Sequence, residues 1–232
     1  MQPTSTRVPE LPTLEPGCIA FEGDTRGALH ALVADHLCAK GGRAIWVDSR
    51  GHARTDVLAR VAPSDRLLER VDVARAFTPY QHYRLLEVVE TALTAGGVRG
   101  SASVIVVPAL DWFYASDECG TQEGRAMAMT GLERLSALAS KQDLPIICTT
   151  AGTALEECVD TMMDTTLTCQ STSFGPRFTG DGIETVVYRV PGGVQTTFAF
   201  WREVLAARHP QVGTGTAESA SPTPVEGAYG AD

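Results

Sequence analysis

The chain has almost no lysine. Of its 19 lysine and arginine residues only Lys40 and Lys141 are lysine, and 28 acidic residues leave a net charge of −9. A balance of that sign argues against a generally basic nucleic-acid surface and confines any such contact to a local patch. The six cysteines (Cys18, Cys38, Cys119, Cys148, Cys158 and Cys169) include no Cys-x-x-Cys pair, so zinc-ligand spacing is absent. Several sit in apolar runs such as Ile146-Ile147-Cys148, where a thiol behaves as a small buried hydrophobe. No apolar run approaches the roughly 20 residues needed to span a bilayer. The polar, proline-rich start has none of the character of a signal peptide. The five histidines show no ligand spacing, and no local motif suggests a Ser-His-Asp or Cys-His arrangement. These absences point to a cytoplasmic protein with no metal, no cofactor and no membrane contact.

What is present is a globular core. The 232 residues are 44% hydrophobic and 20% charged, which suits one domain of ordinary size. Residues 1–16 hold four prolines and little periodicity and read as a flexible N-terminal arm. Residues 208–232 read as a disordered tail, rich in Gly, Ser, Thr, Pro and Ala from Pro210 onward. Between them, over 17–207, short apolar runs alternate with helical patterns, the signature of a mostly parallel sheet with crossover helices. Strands are expected at 18–21, 44–47, 71–74, 104–107 and 144–149. Helices are expected at 28–40, 55–61, 80–95 and 122–141. The pattern then changes. Residues 165–170, 184–190 and 194–200 alternate between glycine-containing turns, with Pro191-Gly192-Gly193 placed as a hairpin. The fold class is therefore α/β, extended by C-terminal antiparallel strands.

The first strand leads into Gly23-Asp24-Thr25-Arg26-Gly27-Ala28-Leu29-His30. A strand–Gly-x-x-x-x-Gly-Lys-Ser/Thr–helix unit cradles nucleotide phosphates with this geometry. Here Ala28 occupies the second glycine position, Leu29 the lysine position and His30 the hydroxyl position. If Gly27 is taken as the second glycine, the lysine is still missing. Three further strand ends fit a related pattern: Ala44-Ile45-Trp46-Val47-Asp48-Ser49, Val104-Ile105-Val106-Val107-Pro108 and Pro145-Ile146-Ile147-Cys148-Thr149-Thr150-Ala151. In order and spacing, residues 14–204 resemble the RecA/RadA recombinase superfamily, nearer its archaeal and eukaryotic branch and the paralogues there.

The resemblance implies a RecA-like P-loop core. It also places the departures. Leu29 stands for the phosphate-neutralising lysine, Arg50 for the glutamate that activates water, Pro108 for the magnesium-supporting aspartate and Ala151 for the phosphate-sensing glutamine. Leucine cannot neutralise phosphate, and arginine accepts no proton at neutral pH. Four losses at four separate strand ends are not one slip of alignment. The chain is therefore expected not to be an ATPase, and residues 23–30 are a vestigial nucleotide-binding loop.

Paralogues in this family assist the main recombinase. The resemblance thus implies a protein-binding accessory role in homologous recombination and DNA repair, with a recombinase or related RecA-fold protein as partner and only weak scope for DNA. A regulatory pseudo-ATPase of the RecA/KaiC-like superfamily, acting in signalling, motility or cell-division control, is the alternative. A third is a nucleotide-binding protein whose site is rewired through Arg26, His30, Asp48 or Arg50. Trp112, Phe113 and Tyr114 form an aromatic run after the fourth strand, suited to a partner contact, to stacking on bases or to the edge of the core. The acidic loop behind it, with Asp117, Glu118 and Glu123, disfavours a phosphate backbone. Asp48 reads as a turn or capping residue, or as a surviving functional carboxylate.

Overall fold

The computed structural model describes residues 9–23, 27–49, 51–95, 102–187 and 197–213. Its centre is an eight-stranded sheet: β1 (Gly17–Gly23), β2 (Arg43–Ser49), β3 (Val71–Ala76), β4 (Ala102–Val107), β5 (Pro145–Cys148), β6 (Thr165–Thr172), β7 (Gly175–Gly180) and β8 (Ile183–Val186). The spatial order is β3-β2-β4-β5-β1-β6-β7-β8. Pairing is parallel from β3 through β6 and antiparallel along β6, β7 and β8. β1 lies inside the sheet, with Gly17 opposite Pro145 on one side and Ile19 opposite Thr165 on the other. From β1 the chain crosses to β2 and β3, fills in β4 and β5, and then passes to the far side of β1 as β6. That reversal opens a crevice at the carboxyl ends of the central strands.

Strand side chains alternate between two apolar layers, because successive residues of a strand face opposite ways. Ile19, Phe21, Ala44, Trp46, Val104, Val106 and Ile147 pack on one face with helices α1 (Ala28–Lys40), α2 (Thr55–Val61) and α7 (Thr197–Arg208). Cys18, Ile45, Val47, Ile105, Val107, Ile146 and Cys148 pack on the other, under α4 (Pro79–Thr94) and α5 (Thr121–Gln142). With apolar cover on both sides, the central strands are continuous hydrophobic runs. Short helices α3 (Asp65–Leu68), α6 (Glu156–Asp160) and α8 (Pro210–Gly213) complete the elements. No described helix is long and apolar enough to cross a membrane. All six cysteines are free, four of them buried, and burial pushes the Cys18 thiol up to about 12.

Helix α1 is enclosed all round: every residue from Ala28 to Leu37 is buried. Leu11 and Leu14, from the last part of the N-terminal arm, belong to the same core, so the packed domain begins before Gly17. The buried carboxylate of α1 is matched. Asp35 accepts two hydrogen bonds from Arg208 (2.6 and 3.0 Å) and shares one with His209 (2.7 Å). Arg208 also donates to the backbone carbonyl of Pro9 (2.7 Å). One guanidinium thereby clasps the arm, α1 and the end of α7.

Three expectations from the sequence need correction here. Residues 197–200, read as part of a strand over 194–200, begin helix α7. Phe198 and Phe200 do alternate, but the spacing Phe198, Trp201 and Leu205 is helical, and it buries Trp201 and Leu205 almost completely. Strand β7 was not anticipated, since Gly175-Pro176 at its start reads as a turn. Helix α8 falls at the start of the expected tail. The hairpin at Pro191-Gly192-Gly193 and residues 188–190 and 194–196 lie outside the described residues, as do 214–232 of the tail.

Candidate functional site

A cavity of about 890 Å³ opens at the carboxyl ends of the central strands. β1 contributes Glu22 and Gly23, and the start of α1 contributes Gly27, Leu29 and His30. The turn after β2 adds Gly51, His52 and Arg54. The exit of β4 adds Pro108, Ala109 and Trp112, and that of β5 adds Thr149, Thr150, Ala151 and then Glu156. Residues named at separate strand ends, Gly23, Gly27, Leu29, His30, Pro108 and Ala151, thus line one space. Ala28 is buried behind them. Asp24, Thr25, Arg26 and Arg50 lie outside the described residues.

The two glycines of the loop have packing reasons of their own. Gly23 has φ +88, and a Cβ there would stand 2.2 Å from the Cys169 carbonyl oxygen on β6. Gly27 has φ +85, and its Cβ would stand 2.9 Å from Cδ1 of Trp201 on α7. Both allow a close approach that any side chain would block.

His30 stacks on Trp46 with ring centroids 5.2 Å apart and planes 26° from parallel. It is 6% exposed, and neither ring nitrogen has a well-aligned hydrogen-bond partner among the described residues, though the Arg54 backbone lies near. Burial holds its pKa down to about 4, opposed by the nearby charge of Asp56. At neutral pH it is an uncharged imidazole, with one nitrogen able to donate and one to accept.

The buried carboxylates at the strand ends are occupied. Asp48 accepts from the N–H groups of Ala53 (2.7 Å) and Gly51 (3.1 Å) and from Arg75 Nε (2.6 Å). It organises the turn after β2, within which His52 also bonds the Ser49 carbonyl. Asp111 accepts from the N–H groups of Ala151 (2.6 Å) and Thr153 (3.0 Å), stitching the exit of β4 to that of β5. Both serve the backbone, and Asp48 has the turn role. We expect Asp48→Ala, which leaves two inward N–H groups unpaired, to cost about 2–4 kcal/mol of stability. Urea denaturation followed by circular dichroism measures this, and an unchanged midpoint would remove Asp48 from the structural role given to it.

The aromatic run divides. Trp112 is 40% exposed at the cavity mouth, its ring 5.3 Å from that of His52. Phe113 and Tyr114 are each 1% exposed. The Tyr114 hydroxyl shares a hydrogen bond of 2.8 Å with His82 Nδ1, and Phe113 packs on the His82 ring. Of the three proposed as a partner contact, only Trp112 reaches the surface; the other two belong to the interior. Among the described residues no group of three or more His, Cys, Asp or Glu is placed to hold a metal ion.

The sequence did not single out Asp111 as a staple between strand exits, nor Glu22 and Glu156 as cavity residues. A carboxylate four residues past the end of a buried strand was the available sign for Asp111. Glu156 enters through α6, which the sequence pattern did not reveal. Comparison with known proteins finds no family model that matches the chain and no matching curated protein.

Proposed function

We propose that this chain is a RecA/RadA-like paralogue that does not hydrolyse ATP and serves as a protein-binding accessory factor in homologous recombination and DNA repair. The observation that supports this most is the convergence of Leu29, Pro108 and Ala151 on one cavity. On the RecA-like reading these replace the lysine, aspartate and glutamine of a working site. None of the three can neutralise a phosphate or hold magnesium. The carboxylates buried at the exits of β2 and β4 do not compensate, because Asp48 and Asp111 are engaged by backbone N–H groups. What remains is a folded scaffold with a shaped crevice and an exposed tryptophan at its mouth.

Millimolar ATP, with or without magnesium, is accordingly expected to leave the melting temperature unchanged. A ligand at a hundred times its Kd would stabilise by about 2.7 kcal/mol, which shifts a midpoint visibly. A clear rise would overturn the loss of nucleotide binding and favour a rewired site. The partner is tested by affinity capture of the tagged protein from its own cells, with nuclease treatment and mass spectrometry. An intact recombinase or repair factor that survives nuclease is the expected result. Signalling, motility or division proteins in its place would transfer the assignment to a regulatory pseudo-ATPase.

A further inference from the structure

The cavity has unpaired carboxylates and no free cation among the described residues. Glu22 and Glu156 both line it. The described contacts of these two are hydroxyl groups, Thr168 at 3.5 Å and Thr150 at 2.8 Å. Asp160 stands close to both. Its carboxyl is held above the ordinary range, first by partial burial and then by repulsion from Glu22, Glu156 and Asp111. The described cation on the lining, Arg54, is tied to Asp56 through two hydrogen bonds (3.0 and 3.1 Å). The positive amino end of α1 offsets only part of this, since a helix terminus contributes about 0.3–1 kcal/mol to an interaction with a charge.

Two more features bear on what would fit. His30, more than nine-tenths buried, lines the same cavity, and neither ring nitrogen meets a well-aligned hydrogen-bond partner among the described residues, though the Arg54 backbone lies near. Trp112 offers an aromatic wall at the mouth. A compact divalent ion does not suit this set, because no three carboxylate, thiol or imidazole groups among the described residues converge on one point. A planar, extended cation does. Guanidinium donates in several directions at once and stacks on aromatic faces.

We propose that the cavity receives an arginine side chain presented by a protein partner, its guanidinium seated between Glu22 and Glu156, stacked on Trp112 and reaching toward His30. This rests on the protein-binding reading above and gives the partner its chemistry. The net charge of −9 would draw in such a basic segment and weaken the attraction as salt rises.

The test uses the full chain and two blocked hexapeptides that alternate glycine with arginine or with lysine. Trp46 and Trp201 are buried and Trp112 is exposed, so a change in tryptophan emission reports chiefly on the mouth. The arginine peptide should give a saturable change at low ionic strength, with the lysine peptide several-fold weaker. Glu22→Gln combined with Glu156→Gln should weaken the arginine peptide about tenfold. Both glutamates are exposed at the surface, so this variant keeps its fold, checked by circular dichroism. Trp112→Leu, read by calorimetry, should erase the preference for arginine over lysine. Undiminished binding by the double variant, no preference between peptides, or no saturable change overturns the inference. If the variant still captures the wild-type protein's cellular partner, the arginine site fails while the protein-binding reading stands. If neither captures a partner, that reading fails with it.

Discussion

Gly23→Ala should destabilise the protein by about 3 kcal/mol or more. Gly23 closes β1 at the point where it pairs with Cys169 of β6. Two costs combine there. The backbone sits at φ +88, and a methyl group would lie 2.2 Å from a carbonyl oxygen. A flexible side chain could swing aside; a β-strand carbonyl cannot, so β1 and β6 must separate locally. Gly182→Ala is the matched control. Its φ is +73, yet nothing lies within 4 Å of the added carbon, so it should lose only about 1–2 kcal/mol, the cost of the left-handed conformation alone. Urea midpoints for the two variants decide the matter, and equal losses would mean that the strand contact contributes nothing. The result bears on function as well. A screen that scores Gly23→Ala as inactive would record a folding defect, not a lost phosphate contact.

Acidification should weaken the fold well above the pH at which carboxylates protonate. Burial holds His30 and His82 at about 4, against about 6.5 in an unfolded chain. Between those values the unfolded state binds protons that the native state does not, so stability falls as pH falls. The loss begins near pH 6.5, grows by about 1.4 kcal/mol per pH unit for each histidine and levels off below about pH 4. At about pH 5 the two together account for as much as about 4 kcal/mol, a large share of a typical total of about 5–15 kcal/mol. Asp56 and Asp72 act in a lower window, since their arginine partners hold them below the ordinary carboxylate range. Urea denaturation at about pH 7.5 and about pH 5 gives the size of the effect. His30→Leu, which removes an imidazole without well-aligned hydrogen-bond partners among the described residues, should abolish about half of it. A variant with the full wild-type slope would rule His30 out as a source.

The sheet was legible in the sequence because its central strands are buried on both faces. Runs such as Val104-Ile105-Val106-Val107 can hardly be anything else once helical patterns flank them. The convergence of Gly23, Leu29, His30, Pro108 and Ala151 was legible for the same reason, since parallel strands end on one edge of a sheet. The edges of the fold were less so. β7 opens with Gly175-Pro176 and takes its strand identity from pairing with β6, a long-range fact that no local pattern carries. The first turn of α7 was misread because two phenylalanines two residues apart satisfy a strand pattern as well as the helix they start. Trp112, Phe113 and Tyr114 are chemically alike in the chain. Only the turn that follows Ala109, itself at φ +50, decides that the first faces out and the others in.

The bond from Arg208 to the Pro9 carbonyl also sets the topology of the described chain as a connected object. The polypeptide enters the packed body and leaves it at one doorway, on the flank of α1 that carries Asp35. A short peptide bridge across that doorway would turn the body into a loop with no preferred starting point, and new ends could then be cut elsewhere, for instance in the turn at Asp181-Gly182.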